Sequence, residues 1–263
     1  MKTLPNSIRE INLLPEHEKQ SVYRLLIPDW IYTSYNIDRD TLTKDNKTLI
    51  KFRCPNGSRA VEIIAKREIH DSDPVLYLNM ADTFNNQLLV LLVVVNDLDS
   101  PRFDTDVDEQ GYGTQFGTTG RNLAAEELAM KAGLAPGQIR NGLRSFSQSI
   151  PLFEDFVSKM GHDLFLIEPL AYHNAWVFER YGFNYVRGYS EMCRIDREFR
   201  PHGELNLKLS NNYPFRQENC WKSVRGRAWA IHDGILGHPF TGFQMYKRLG
   251  IHAGICTFPD AMW

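Results

Sequence analysis

The chain has 263 residues, a formal net charge of -2, and a composition of 43% hydrophobic and 24% charged residues. This balance allows a large core and excludes general disorder, and the near-neutral charge gives no indication of a nucleic-acid-binding surface. The first residues lack the apolar core of a secretory signal, and the longest apolar run, Leu88–Val95, is too short to cross a bilayer. We therefore expect a cytoplasmic protein with no nucleic-acid or membrane partner.

The N-terminal stretch 6–27 is predicted to be helical. Pro15 followed by acidic residues is typical of a helix start, because proline fits the first turn and acids complement the helix dipole. We expect Pro28 and Asp29 to end this stretch. The mixed region that follows has a polar turn at 44–47.

Four strands are predicted in the first half of the chain. Residue types and flanking turns place them at 49–53, 59–65, 75–81 and 87–96. The first two flank a Pro-Asn-Gly turn and are expected to pair as a hairpin. The last has apolar residues on both faces, which predicts a central strand covered on both sides.

The second half alternates helices and strands after an acidic, glycine-rich loop at 97–120. Helices are predicted at 121–133, 142–160, 174–181, 220–236 and 241–249, and strands at 164–170 and 185–195. The helix at 142–160 has apolar residues at three- and four-residue spacing, as one buried face requires, and Pro151 is expected to kink it.

The segment Asn174–Phe183 reads Asn-Ala-Trp-Val-Phe-Glu-Arg-Tyr-Gly-Phe. It resembles the late helix of the GNAT superfamily of acyl-CoA N-acyltransferases, and the order of predicted elements from about 60 to 195 fits the same family. The resemblance implies an α/β (α+β) fold, with a mixed, mostly antiparallel central sheet flanked by helices. Alternatively, Gly182 is simply a left-handed helix end, which explains Tyr-Gly-Phe in any α/β protein.

The resemblance also implies how the chain is divided. Residues 1–58 form an N-terminal extension, 59–197 form the GNAT-like core with an insertion at 98–136, and 198–263 form a C-terminal extension. The insertion is expected to act as a lid or as a dimer contact, so a homodimer is one open alternative.

The family binds coenzyme A at the turn that opens its long helix, where backbone N–H groups hold the pyrophosphate. Gln138 matches the first position of the family pattern, whereas Asn141 and Leu143 stand where glycines are expected. A basic helix start on the surface is the alternative interpretation. The residues expected to contact acetyl-CoA or another acyl-CoA are Val93, Val95, Gln138, Arg140, Asn141, Gly142, Leu143, Arg144, Asn174 and Phe178.

Many family members use a tyrosine in the late helix to protonate the leaving thiolate, but Phe178 stands at that position here. Tyr172 and Tyr181 are the candidate replacements. Glu168 is the first candidate for the general base, ahead of Glu62 and Asp97, with an ordinary strand-end charge as the alternative. Backbone amides near Val93 and Val95 are expected to hold the thioester carbonyl.

The implied function is an acyl-CoA-dependent N-acyltransferase that moves an acetyl or other acyl group to a small-molecule or peptide amine by direct attack. The alternative is a non-catalytic GNAT-like module for ligand binding or assembly. No metal is expected. The acids at 104–109 fail the EF-hand spacing, the histidines near the C-terminus lack zinc spacing, and the cysteines form no CxxC pair.

Overall fold

The computed structural model describes residues 4–114, 120–143 and 146–263. They divide into two compact units, each built from several segments of the chain. The first unit contains Met1–Asp99, Gly142–Glu168 and Tyr246–Ile251, and the second contains Ser100–Asn141, Pro169–Met245 and His252–Trp263. The three-part division expected from the sequence stays a prediction.

The N-terminal stretch is helical, as predicted. It forms the helices α1 (Ile8–Asn12), α2 (Glu16–Tyr23) and α3 (Asp29–Tyr35), with a 3₁₀ turn at Arg24–Leu26. Pro28 ends the predicted stretch but also begins α3, because its φ of -58° suits a helix entry and Asp29 complements the helix dipole. The two carboxylate oxygens of Asp82 accept the backbone N–H groups of Ile8 and Arg9 at 2.7 and 2.8 Å, so α1 is fixed to the sheet.

The strands of the first half are β1 (Thr43–Lys44), β2 (Lys47–Thr48), β3 (Ile50–Arg53), β4 (Ala60–Ala65), β5 (Leu76–Asp82) and β6 (Leu88–Val95). The four predicted strands correspond to β3–β6, whereas β1 and β2 flank the predicted turn and were not predicted. The turn between β1 and β2 has Asp45 and Asn46 at positive φ, as its polar residues predict. The predicted hairpin is confirmed, since β3 pairs antiparallel with β4 from Ile50 opposite Ala65 to Arg53 opposite Glu62.

The remaining elements follow in chain order. They are α4 (Leu123–Lys131), α5 (Phe146–Lys159), β7 (Leu164–Ile167), α6 (Tyr172–Arg180), β8 (Asn184–Arg187), α7 (Tyr189–Phe199), α8 (Glu204–Leu207), α9 (Val224–His232) and β9 (Gln244–Arg248), with 3₁₀ turns at Pro214–Arg216 and Glu218–Lys222.

Three predicted boundaries or types are wrong. The strand predicted at 185–195 ends at Arg187, where Gly188 has a φ of +101° and the chain turns into α7. The helix predicted at 241–249 is the strand β9, whose side chains alternate between buried and half-buried. The long helix begins at Phe146 instead of 142, which leaves Gly142 in an irregular segment, consistent with the low helix propensity of glycine.

The main sheet has seven strands in the order β3-β4-β5-β6-β7-β9-β8. The pairs from β3 to β6 are antiparallel, whereas β6 and β7 are parallel, with α5 in the connection between them. The fold is therefore mixed, with a mostly antiparallel sheet and flanking helices, as expected. Within the described ranges, every helix is too short or too polar to cross a bilayer.

The apolar face of α5 confirms the periodicity seen in the sequence. Phe153, Phe156, Val157 and Met160 are buried in the first unit. Pro151 lies inside the helix. The core of the second unit is largely aromatic, with Tyr172, Phe199, Trp229 and Phe258 almost fully buried.

Candidate functional site

The residues expected to bind acyl-CoA are distributed over both units. The first unit holds Val93, Val95, Gly142, Leu143 and Glu168, and the second holds Gln138, Arg140, Asn141, Tyr172, Asn174, Phe178 and Tyr181. Arg144 lies outside the described residues. Each group is therefore described within its own unit.

In the first unit, β6 extends past its parallel neighbour. The pairing with β7 consists of Leu89 opposite Leu166 and Val90 opposite Ile167, and β7 ends there, whereas β6 continues to Val95. Leu88 and Val90, which share one face of β6, are buried, whereas Leu89 and the stretch 91–95 are half-buried. The predicted cover on both faces is therefore wrong, although β6 is the central strand of the sheet as predicted. This leaves a half-buried apolar stretch at the carboxyl end of β6, beyond the carboxyl end of its parallel neighbour β7.

Two other residues that were predicted to belong to the site, Glu168 and Gly142, also lie near this end of the sheet. Glu168 directly follows β7 and is half-buried. A Cβ atom added to Gly142 would lie 3.4 Å from the carbonyl oxygen of Val95, so the chain passes close to the end of β6 here. A side chain at this position would begin in van der Waals contact with the end of β6.

In the second unit, the predicted phosphate turn is an irregular segment held by local hydrogen bonds. The side-chain oxygen of Gln138 accepts the backbone N–H of Ala135 at 2.7 Å. The backbone N–H of Asn141 donates to Ser100 Oγ at 3.2 Å, and Arg140 donates to the Ser100 carbonyl at 2.5 Å. These groups would have to exchange partners to contact a pyrophosphate.

The candidate proton donors lie on or beside α6. Tyr172 is 1% exposed, its hydroxyl is 3.5 Å from Arg227 Nη1, and burial raises its pKa to about 12. Tyr181 is half-buried at the end of the helix, and the ring of Phe178 packs against Phe183 at 5.3 Å between centroids. Asn174 contacts the imidazole of its neighbour His173 at 3.2 Å. Tyr172 is thus a buried core residue and not an accessible acid.

Sequence analysis missed a chain of charged side chains in the second unit. His232 Nε2 lies 3.1 Å from Glu126 Oε1, and Arg121 Nε donates to Glu126 Oε2 at 2.9 Å. Arg121 also donates to Asp233 at 2.8 Å, and Asp233 accepts from Arg216 Nε at 2.6 Å. Glu126 and His232 are 106 positions apart, so no local motif in the sequence could have indicated their contact.

The ionisation of Glu126 is fixed by these partners. Burial alone would raise its pKa, but hydrogen bonds from His232 and Arg121 lower the pKa below its ordinary value. His173 is buried nearby, and burial together with the charge of His232 lowers its pKa from 6.5 to about 4. At neutral pH, Glu126 is therefore an anion and His173 is uncharged.

Two further buried charges belong to the core of the second unit. Arg227 is 0% exposed, bonds to Asp196 at 2.8 Å and lies over the ring of Phe258 at 3.4 Å from its centroid. Glu179 is 1% exposed and accepts hydrogen bonds from the Tyr185 hydroxyl and the Thr257 hydroxyl at 2.6 and 2.7 Å. These contacts join segments that are distant in the sequence.

The alternating acids at 104–109 are partly neutralised by Arg102, which donates to Asp106 at 2.7 Å and also bonds to Asp104. Among the described residues, no group of histidine, cysteine and acidic side chains is arranged to hold a metal ion. In comparisons with family models, curated proteins and solved structures, none matches the chain.

Proposed function

We propose that this protein is an N-acyltransferase that moves an acyl group from an acyl-CoA to an amine. The observation that carries the proposal is the end of β6, which continues to Val95 although its parallel pairing with β7 ends at Val90. Ligands of α/β sheets commonly bind outside the carboxyl ends of parallel strands. The motif at Asn174–Phe183 and the order of elements support the same proposal through the GNAT resemblance.

In the proposed reaction, the amine nitrogen attacks the carbonyl carbon of the thioester directly. The new C–N bond forms, the C–S bond breaks, coenzyme A leaves as a thiolate, and a base takes the amine proton. The protein mainly positions the two substrates, and the backbone N–H groups at the end of β6 would stabilise the oxyanion. The acceptor would be a small-molecule or peptide amine in the cytoplasm.

The alternative is a GNAT-like module that binds a ligand or a partner without transferring an acyl group. One observation favours it. Tyr172 is fully enclosed, and the side chain of Gln138 is already bonded to Ala135, so two residues expected to serve the co-substrate have other contacts.

A thermal-shift titration with acetyl-CoA and free coenzyme A tests the proposal. A ligand at a hundred times its Kd stabilises the folded state by about 2.7 kcal/mol, so binding should give a clear, saturable rise in Tm. No rise at millimolar ligand would favour the non-catalytic alternative.

A substitution tests where the co-substrate binds. Gly142→Leu should weaken binding, because its Cβ would already contact the Val95 carbonyl and the rest of the side chain would occupy space at the end of β6, where the co-substrate is proposed to bind. Gly113→Leu is the matched control, since no atom lies closer than 4.0 Å to a Cβ at that position. Equal affinity in both variants would exclude the assigned site.

A further inference from the structure

The sheet of the first unit has a second face, opposite the one that α1 covers. On β4 and β5 every second side chain is buried, and α1 lies on that side, where Asp82 accepts its backbone N–H groups. Successive side chains of a strand point to opposite faces, so Glu62, Tyr77 and Asn79 share the other face. All three are half-buried, and Glu62 lies directly opposite Asn79.

A bulge in β6 brings the end of this strand to the same face. The register between β5 and β6 shifts at Leu91, an extra residue on β6, and a bulge redirects the side chains that follow it. Beyond the bulge, Leu92 lies opposite Asn79. Val94 lies opposite Tyr77, in the stretch where the acyl group is proposed to bind. The Asn79 face is defined by the five residues Glu62, Tyr77, Asn79, Leu92 and Val94.

Asn79 has a hydrogen-bond acceptor that its neighbours leave unused. Its Oδ1 atom is buried and has no hydrogen-bond partner among the described residues. Burial raises the pKa of Tyr77, the charge of Glu62 raises it further, and a hydrogen bond with the Asn79 side chain lowers it, so the three polar groups interact. An unsatisfied buried acceptor is unfavourable, and an N–H group of a ligand would satisfy it.

The charge at this face favours a cationic ligand. Glu62 carries the negative charge, and Arg53 Nη1 lies 3.2 Å from its Oε2 atom. The side chains of Glu62 and Arg53 are 32% and 69% exposed, and ion pairs this exposed contribute little to stability. Lys51 is exposed on the same edge strand, β3. The Glu62 carboxylate can therefore also accept from an ammonium group that is bound at Asn79 Oδ1.

We propose that the Asn79 face binds the acceptor of the acyl transfer and that this acceptor is an aliphatic diamine. The inference rests on the proposed function and specifies its amine. One nitrogen, as an ammonium group, donates to Asn79 Oδ1 and to the Glu62 carboxylate, and the alkyl chain lies on Leu92 and Val94. The other nitrogen, uncharged, attacks the thioester carbon at the end of β6. The C–N bond forms, the C–S bond breaks, the thiolate leaves, and a base takes the amine proton.

The strand geometry determines the length of the diamine. Strands are about 4.8 Å apart and rise about 3.3 Å per residue, so the Cα atoms of Asn79 and Val94 are separated by roughly 8 Å. With bonds of about 1.5 Å, a chain of about five or six carbons separates two nitrogens by that distance. Hexamethylenediamine is therefore the probe. Hexylamine, which has the same chain without the second nitrogen, is its matched control.

The first test measures binding without acyl transfer. In a thermal-shift titration with coenzyme A present, hexamethylenediamine should raise Tm at a concentration at least about tenfold lower than hexylamine, because hexylamine lacks the charged donor for Asn79 and Glu62. In Asn79→Leu the two amines should bind alike. The variant removes an unsatisfied acceptor, so its own Tm should not fall. Equal binding of both amines to the wild type would overturn the proposal.

The second test measures turnover with acetyl-CoA. For the wild type, kcat/KM with hexamethylenediamine should exceed the value with hexylamine by roughly 10- to 100-fold. Glu62→Gln should raise the diamine KM by about tenfold, and the turnover of hexylamine and the acetyl-CoA KM should stay the same. Glu68→Gln is the matched control, because this carboxylate is 49% exposed and pairs with Lys44 but lies outside the Asn79 face.

The outcomes separate the diamine assignment from the proposed function. Equal kcat/KM for both amines, or a diamine KM that Asn79→Leu and Glu62→Gln leave unchanged, would overturn the diamine assignment and keep the acyltransferase. Diamine binding that Asn79→Leu abolishes, without acyl transfer to any amine, would overturn the acyltransferase and keep the Asn79 face as a diamine site. The absence of both binding and transfer in the wild type would overturn both.

Discussion

Replacing His173 by leucine should make the protein lose much less stability when the pH is lowered. The imidazole is buried on α6, where burial and the nearby His232 lower its pKa from 6.5 to about 4. In the unfolded chain the group takes up a proton near pH 6.5, whereas in the folded protein it stays neutral until about pH 4. Stability from this group is therefore complete above pH 6.5 and is lost as the pH falls toward 4.

The size of the effect follows from the two pKa values. Each unit of difference between the folded and unfolded pKa corresponds to about 1.4 kcal/mol, so a decrease from 6.5 to about 4 amounts to roughly 3 kcal/mol. That is a large fraction of the 5 to 15 kcal/mol, in order of magnitude, that separates most folded proteins from their unfolded states. The leucine variant also removes Nδ1, which has no hydrogen-bond partner among the described residues.

Urea unfolding followed by tryptophan fluorescence, repeated from pH 7.5 to 4, measures the effect. The difference in free energy of unfolding between wild type and His173→Leu should change by roughly 3 kcal/mol over that interval, in favour of the variant at low pH. His17→Leu is the control, because that side chain is 82% exposed. Parallel pH profiles for wild type and His173→Leu would refute the reasoning.

Two further substitutions test the packing of the second unit. Glu126→Gln should destabilise the protein by about 3 kcal/mol because Arg121 loses a buried partner, whereas Glu127→Gln, at a 39% exposed side chain, should change stability by less than about 1 kcal/mol in the same urea assay. Gly182→Ala and Gly161→Ala both meet a φ of +81°, but a Cβ at Gly182 would also lie 2.8 Å from the His252 Cα. The thermal unfolding assay should therefore show a loss at Gly182 that exceeds the loss at Gly161 by at least about 1 kcal/mol, and equal losses would contradict the close approach.

The elements that sequence patterns predict well are those whose signal is local. The Pro-Asn-Gly turn fixes the hairpin of β3 and β4, and the apolar spacing in α5 identifies its buried face. The strand predicted at 185–195 is wrong beyond Arg187 because the apolar residues of this stretch suit either a strand or a helix. The strand ends before Gly188, which has a positive φ and precedes the helix α7. Met192, Ile195 and Phe199 then follow at helical spacing and are buried.

The candidate site is less predictable than the fold, for a physical reason. The apolar run at 91–95 predicts a strand from the sequence alone. Its partial exposure, however, depends on β7 ending at Ile167, which the sequence of this run does not indicate. The sequence shows that Tyr172 has a hydroxyl that could donate a proton. It does not show that this side chain is buried, because the burial depends on packing against α9. The pairing of Glu126 with His232 depends on tertiary contacts between segments that share no local pattern.

Among its described residues, the second unit buries three charged side chains, and their surroundings differ. Glu179 and Arg227 are at most 1% exposed, and their partners are other buried or half-buried groups that join distant segments. Burying a charge costs several kcal/mol unless hydrogen bonds or an opposite charge compensate. For Glu179 and Arg227, the compensating groups come from segments that the fold packs against them. Glu126 differs because one of its partners, His232, is partly exposed. The pair of Glu126 and His232 therefore extends from the interior of the second unit toward its surface, whereas Glu179, Arg227 and Tyr172 belong to the interior.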